Sequence, residues 1–520
     1  MHYLIGIIRF IKHMNEQKSI KKNFLMNILL TLSGIIFPII SFPYVSRILG
    51  PEGTGKVDFA SSIMGYFSLF AQLGIPTYGI RACARVRDNK LQLSRTVAEL
   101  MMINLIMTLF SYIVFVPMLF LIPKFMELKE LLIIFSTTLL LNTIGIEYLY
   151  RAIEQYTYIT IRSIVFKILS FVFLFLLVKT ENDYVIYGAI TLFAASASNL
   201  MNFIHARKYL TYRNLGKLQL TRHLKPIALF FAMSCATTIY LHLDRVMLGF
   251  IGNDADVGYY GAAVKVKNIM LSLVTSLGAV LLPRASYYVE HRLMDEFVKI
   301  TKKALHFVVV ASVPISVFFI LYAHESIMVV SGAEYLPAVP AMQAIIPTLI
   351  FVGITNILGI QILLPLGKEK YVLYSEIAGA VVDLILNMLL IPHYKATGAA
   401  IGTLAAEFVV LIVQLILFRK IKDKIDITDT FKQIKYYTII SAVIAGSIAS
   451  VWIKFVSIPI NTGYLLVNNL IPLAIAGLLF FGIYAIVMLI YKDEIVLLML
   501  KTLMKPINKH LAQGQGRQSE

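Results

Sequence analysis

Apolar residues run along this chain in long, unbroken stretches, with no polar stripe of the kind a soluble amphipathic helix shows. Fourteen such runs lie near 24–49, 56–79, 97–122, 128–150, 156–178, 184–205, 225–251, 257–282, 303–323, 337–366, 371–391, 396–418, 436–456 and 469–491. A hydrocarbon core of roughly 30 Å takes about 20 residues of helix. The pattern therefore predicts an all-α membrane protein with fourteen transmembrane helices. Before the first run, MHYLIGIIRFIKHMNEQKSIKK has too short an apolar stretch, and no cleavage site, for a signal peptide. It reads as an amphipathic helix on the membrane surface.

Composition agrees. The 520 residues are 58% hydrophobic and 15% charged, where a soluble protein carries about 25% charged residues. The net charge of +18 would suit a nucleic-acid partner, but its placement says otherwise. With a cytoplasmic N-terminus, the tails, loops and adjoining helix ends on the inner side carry 36 of the 47 Lys and Arg residues. Seven face outward (Arg47, Lys56, Lys124, Lys129, Lys179, Lys395 and Lys454) and four lie within spans (Lys167, Arg245, Lys265 and Lys267). That is the positive-inside pattern, with both termini cytoplasmic; no nucleic-acid partner is expected. Cys83 and Cys235 form no disulfide framework, and the ten histidines show no metal-binding spacing. No cofactor or metal is expected.

GPEGTGKV (50–57) imitates the nucleotide-binding pattern G-x-x-x-x-G-K but ends in Val57 where the motif needs a hydroxyl. It also follows an apolar helix on the outer side, where a P-loop would follow a buried strand. A tight glycine-rich turn between two spans is the better reading. The turn has a second copy. SRILGPEGTGKV aligns with DRVMLGFIGNDADVG, Leu49-Gly50 on Leu248-Gly249 and Gly55 on Gly258, and YGAITLFAAS (187–196) aligns more weakly with TGAAIGTLAAE (397–407). Spans 1–6 and 7–12 thus read as a parallel repeat. The expected organisation is an N-terminal segment 1–23, an N-lobe 24–205, a cytoplasmic linker 206–224, a C-lobe 225–418, two added helices within 419–491, and a cytoplasmic tail 492–520.

Repeat-built transporters bind substrate between their halves near mid-membrane. In span 8, Gly258, Gly261, Lys265, Asn268, Ser272 and Ser276 share one face; in span 2, Asp58, Ser61, Ser62, Gly65 and Gln72 do the same. These stripes are either cavity faces or small-residue packing seams, and packing does not account for Lys265. Charges within a bilayer suggest function by default. Asp244 and Arg245 lie near the outer end of span 7; Arg47 lies near the outer end of span 1. Each is a cavity residue or an interfacial anchor. Lys267 faces away from Lys265 and suits a structural ion pair. Lys167, Asp383, Glu376, Glu407, Asp58 and Asp244 either couple a cation or serve as buried pairing partners. Glu147 and Arg151, one turn apart, read as a surface pair, and His242 as a packed residue. No large outer loop carries paired carboxylates, which disfavours a membrane glycosyltransferase or ligase.

Three stretches carry a resemblance. KNFLMNILLTLSGIIFPIISFPYVSRILGPEGTGKVDFASS, LHLDRVMLGFIGNDADVGYYGAA and LNMLLIPHYKATGAAIGTLAAEF resemble, in order and spacing, bacterial polysaccharide repeat-unit flippases of the MATE-like multidrug/oligosaccharidyl-lipid/polysaccharide exporter superfamily. The resemblance covers about 21–491. It implies two six-helix lobes in a V, with a cavity lined by helices 1, 2, 7 and 8. It further implies that an undecaprenyl-diphosphate-linked oligosaccharide moves from the inner to the outer leaflet of the bacterial cytoplasmic membrane, without enzymatic chemistry. A polymerase and a chain-length regulator of the same pathway are candidate partners. Lys265, Arg245 and Arg47 would supply cationic contacts, with Asn268 and Ser272 beside them; Asp58 stands where a matching base would fit the first half. The alternatives are an organic-cation antiporter of the same fold, disfavoured by Lys265, and a scaffold without transport.

Overall fold

In a computed structural model, residues 2–211, 213, 215–420, 436–455 and 465–497 are described, and among them all regular structure is helical. Eight of the described helices are long and apolar enough to cross a membrane, or ten if each of two bent pairs is one span. Two of the eight, Leu25–Ala84 and the 51-residue Glu369–Arg419, each hold two of the predicted spans, so the arrangement is compatible with fourteen. Outward-facing side chains such as Leu109, Phe120, Leu121 and Leu478 are 61–78% exposed, as lipid solvation requires. The chain is a multi-pass membrane protein. It divides into two compact units, Met1–Gly261 and Ala262–Glu520.

In the first unit, helix runs from His2 to Gln72 with one non-helical residue, Gly50 (φ 63°, ψ −178°). This separates α1 (2–49) from α2 (51–72). Those angles are open essentially to glycine alone, and Pro51 then opens α2 at the position where its missing N–H costs nothing. The nucleotide-motif mimic is therefore one glycine hinge followed by helix. Then come α3 (Ile75–Ala84), α4 (Lys90–Leu121), α5 (Lys129–Gly145), α6 (Glu147–Ala152), α7 (Tyr156–Leu177), α8 (184–205, with a π turn over Phe193–Ala197) and α9 (Thr221–Ile251). Leu73 and Gly74 separate α2 from α3, and Ile146 separates α5 from α6; all three have positive φ.

The repeated glycines have a packing role. A Cβ on Gly55 would lie 1.7 Å from the carbonyl oxygen of Asp254, and one on Gly258 would lie 2.0 Å from that of Pro51. The glycines aligned by the repeat thus let the two turns press backbone to backbone. Gly249 makes room for the Phe59 ring in the same way. A polar ladder fastens α1 to α7: Thr160 donates to Met26 O, Lys167 Nζ to Ser33 Oγ, and Tyr44 to Val178 O, each at 2.9 Å.

α10 (Asp254–Glu290) leads into the second unit, followed by α11 (Met294–Leu321), α12 (Thr348–Leu363), α13 (369–394), α14 (396–419), α15 (Tyr436–Phe455) and α16 (Leu465–Ile490). Lys395 (φ 49°, ψ −126°) is the hinge between α13 and α14. The last two helices are built into this unit. The Phe318 ring of α11 packs, tilted, 5.4 Å from that of Phe480 of α16, and Tyr484 donates to Val310 O at 2.9 Å. Asp493, just past α16, lies 2.8 Å from both Tyr437 Oη and His306 Nε2. Of the expected tail, residues 498–520 lie outside the described residues.

Candidate functional site

His242 and Arg245 are three residues apart on α9 and so share a face. That face meets α2. A Cβ on Gly65 would sit 2.6 Å from His242 Nε2, and the His242 and Tyr66 rings are 6.1 Å apart. His242 Nδ1 and Arg245 Nε are both closed off from water without a hydrogen-bond partner. Asp244, one residue before Arg245, is 6% exposed and accepts from the Tyr260 hydroxyl. The adjacent charges are thereby separated in role: the acid is held by a phenol, and the base lies beside an imidazole. Sequence reading took His242 as packed, and it does pack on Gly65, on the same face of α9 as Arg245.

The other expected residues of this unit are placed as follows. Arg47 is half-buried and its Nη1 donates to Pro43 O of its own helix at 2.6 Å. Asp58 is half-buried on α2. Lys167 is a rung of the α1–α7 ladder; a hydroxyl, Ser33 Oγ, receives its ammonium. Among the described residues no carboxylate lies within ion-pair distance of it.

In the second unit, Lys265, Asn268 and Ser272 lie on α10. Lys265 is half-buried, as is Lys267, and Asn268 is exposed, while the Ser272 hydroxyl donates to Ile269 O at 2.6 Å. The acids gather where α13 meets α14. Asp383 and Asn387 are buried against Gly402, where a Cβ would stand 3.3 Å and 2.4 Å from their Oδ1 atoms. Glu407 is buried and half-buried Glu376 lies within its electrostatic reach.

One charged centre escaped sequence reading. Glu99 of α4 is fully buried and gathers donors from the linker and the start of α9: Arg222 through two N–H groups, His223 Nε2 at 2.8 Å and the Gln219 N–H at 2.8 Å. Arg95 adds a contact at 3.2 Å, and Tyr78 meets His223 Nδ1 at 2.8 Å. This clamp fixes the linker to the helix bundle. A lone acid two residues into an apolar run gives no hint of it.

Known transporters are similar to this chain in sequence and in fold. A putative O-antigen transporter of Escherichia coli (strain K12) is 26% identical over 417 residues, 79% of this chain and 99% of the relative. One of Shigella dysenteriae is 24% identical over 397 residues, 76% and 99%. The fold is similar to the lipid II flippase MurJ in an inward closed conformation (TM-score 0.67, 16% identity, 91% of this chain and 100% of the other). It is also similar to an inward-facing multidrug resistance MATE family transporter (TM-score 0.57, 16% identity, 75% and 94%). The polysaccharide biosynthesis protein family matches residues 20–289, more than half of the chain, so the chain belongs to that family.

Proposed function

We propose that this protein flips undecaprenyl-diphosphate-linked oligosaccharide repeat units from the inner to the outer leaflet of the bacterial cytoplasmic membrane, with both termini cytoplasmic, for surface polysaccharide synthesis. The observation that carries the reading is Arg245. A guanidinium N–H shut away from water without an acceptor costs about 1–3 kcal/mol. A phosphate-bearing ligand supplies such an acceptor through charge-assisted hydrogen bonds. Two kinds of similarity point the same way: near-full-length relatives named as O-antigen transporters, and a fold shared with a flippase for another lipid-linked saccharide.

In this scheme Arg245, Lys265 and Arg47 meet the diphosphate, and Asn268 and Ser272 add neutral contacts. Polar faces opened alternately to the two sides replace the headgroup's water while the prenyl chain stays in lipid. An inside-negative potential favours outward movement of anions by ~2.3 kcal/mol per charge per 100 mV, so no nucleotide is required. Asp58, Asp383, Glu376 and Glu407 are the candidates for cation coupling. Asp244 and Lys167, held by Tyr260 and Ser33, fit pairing roles better. A polymerase and a chain-length regulator would use the product.

The test is flipping of the lipid-linked repeat unit in proteoliposomes. Arg245→Ala and Lys265→Ala should each slow it at least roughly tenfold, the cost of one lost charge-assisted contact. Unchanged flipping in both variants would discard the site assignment; drug efflux with no glycolipid movement would favour an organic-cation antiporter.

A further inference from the structure

Three helix irregularities in the first unit converge on one cavity. α2 stops at Leu73 and Gly74, α5 stops at Ile146, and α8 carries its π turn just before Asn199. Two of these residues, Leu73 (φ 46°) and Ile146 (φ 34°), hold a left-handed conformation that side chains disfavour. Irregular backbone at membrane depth is tolerated where it lines a polar cavity or is buried in protein, and strain of this kind gathers at ligand sites. Between the three breaks lies a cavity of about 300 Å³.

Its lining is made largely of neutral hydrogen-bonding groups. Asn104, Asn142 and Asn199 approach from α4, α5 and α8, Tyr148 from α6, and Gln72 and Thr77 from either side of the α2–α3 break. Asn104 is 2% exposed and Tyr148 is 5% exposed, yet Asn104 Oδ1 and the Tyr148 hydroxyl have no hydrogen-bond partner. Asn199 Nδ2 donates to Asn142 Oδ1 at 3.0 Å, which fixes both amides and leaves the Asn142 amide hydrogens for another acceptor. Gly145 allows this, since a Cβ there would lie 2.5 Å from the Asn199 side chain. The lone carboxylate, Glu147, is already met by Arg151 (2.7 Å) and Arg162 (3.5 Å). The lining's one guanidinium, Arg151, is the partner of that carboxylate, so the two charges of the lining are matched within it. Clustered acceptors and donors, one phenol and apolar surface at Pro76 and Ile80 suit a ring carrying hydroxyls.

We propose that this cavity is a saccharide subsite that holds one or two neutral sugar rings of the transported headgroup, apart from the contacts to its diphosphate. A cavity of this size is at the small end of ligand pockets, about 300–1,000 Å³, so it takes part of a repeat unit. The proposal rests on the flippase reading and names the part of the substrate recognised here. A site built to hydrogen-bond hydroxyl groups rejects ligands that lack them far better than an apolar pocket can.

The test uses the purified full-length chain and two probes: the undecaprenyl-diphosphate-linked repeat unit, and undecaprenyl diphosphate without sugar. Thr77→Trp plugs the mouth from an exposed position, and Asn104→Leu removes an amide oxygen that has no partner, so both variants should fold. Each should bind the saccharide-bearing lipid roughly tenfold more weakly and the bare diphosphate unchanged. An equal loss for both probes, or no loss for either, overturns the subsite. So does a sodium-dependent binding signal removed by the same variants without saccharide selectivity, which would make the cavity a cation site. If the wild-type chain binds neither lipid and flips neither, the flippase reading itself falls.

Discussion

The first unit breaks its helices in two ways. At the turn between α1 and α2 the break is glycine, at Gly50, and the neighbouring glycines Gly55 and Gly258 bring backbone against backbone with no side chain between. At the other end of α2 and in α5 the breaks fall on Leu73 and Ile146, residues that pay for positive φ, and their chain neighbours Gln72, Gly145 and Glu147 line a polar cavity. A joint that must close tightly is made from the residue with least to exclude. A joint that must hold a cavity open keeps bulky side chains and tolerates strain, with surrounding packing fixing what local preference opposes.

Breaking the closed joint should have the largest effect. Val at Gly258 would drive its Cβ to about 2.0 Å from the Pro51 carbonyl, on helix that cannot yield as a side chain can. Overpacking against backbone is expected to cost about 4 kcal/mol or more. Gly258→Val should therefore give little monodisperse protein on size exclusion from mild detergent. Wild-type yield and profile would show that the two turns are not held by this contact. Gly50→Ala should be milder, about 1–3 kcal/mol from the glycine-only backbone angles, seen as a lower thermal midpoint.

A third kind of joint lies in the second unit, just past the apolar helix that ends at Ile490, where side-chain charge rather than backbone does the holding. Burial would raise the Asp493 carboxyl, but His306 Nε2 at 2.8 Å and hydrogen bonds from Tyr437 and the Val496 N–H outweigh it and hold the group at about 2. A carboxyl lowered on folding stabilises above its unfolded value, about 3.9, and that contribution is lost as pH falls from about 4 toward 2. Asp493→Asn should lower the midpoint at pH 7 by the equivalent of about 1–2 kcal/mol and flatten the acid limb of the midpoint–pH curve between those values. A variant curve parallel to wild type would show that the charge is not what secures α15 and α16.

How far each joint could be read in advance follows from its chemistry. A chain that crosses lipid as helices needs long apolar runs, so such runs could be located, and each is mostly helical in its described part. Glycine announces its own turn, so GPEGTGKV and its copy could be paired before their contact was seen. Leu73 and Ile146 announce nothing, because tertiary packing rather than local preference puts them at positive φ. The asparagines of the cavity barely disturb an apolar run. Lys167 could be singled out as a charge within a span, but not its partner: the serine hydroxyl that meets it, on another helix, looks like any other small polar residue in an apolar run.

The finest test of the comparison is at Ile146 itself. The side chain is 2% exposed, so truncation to Ala or to Gly loses nearly the same packing, and both variants will be less stable than wild type. They differ in backbone. Inside a regular helix Gly is about 1 kcal/mol worse than Ala. At φ 34° the order should reverse, since Ala keeps a left-handed penalty of roughly 1–2 kcal/mol that Gly escapes. Ile146→Gly should thus melt above Ile146→Ala, by the equivalent of about 1 kcal/mol, in parallel thermal scans. The ordinary helical order at this position would mean that the strain is not there, and that the cavity beside it is held open by something other than the broken helix.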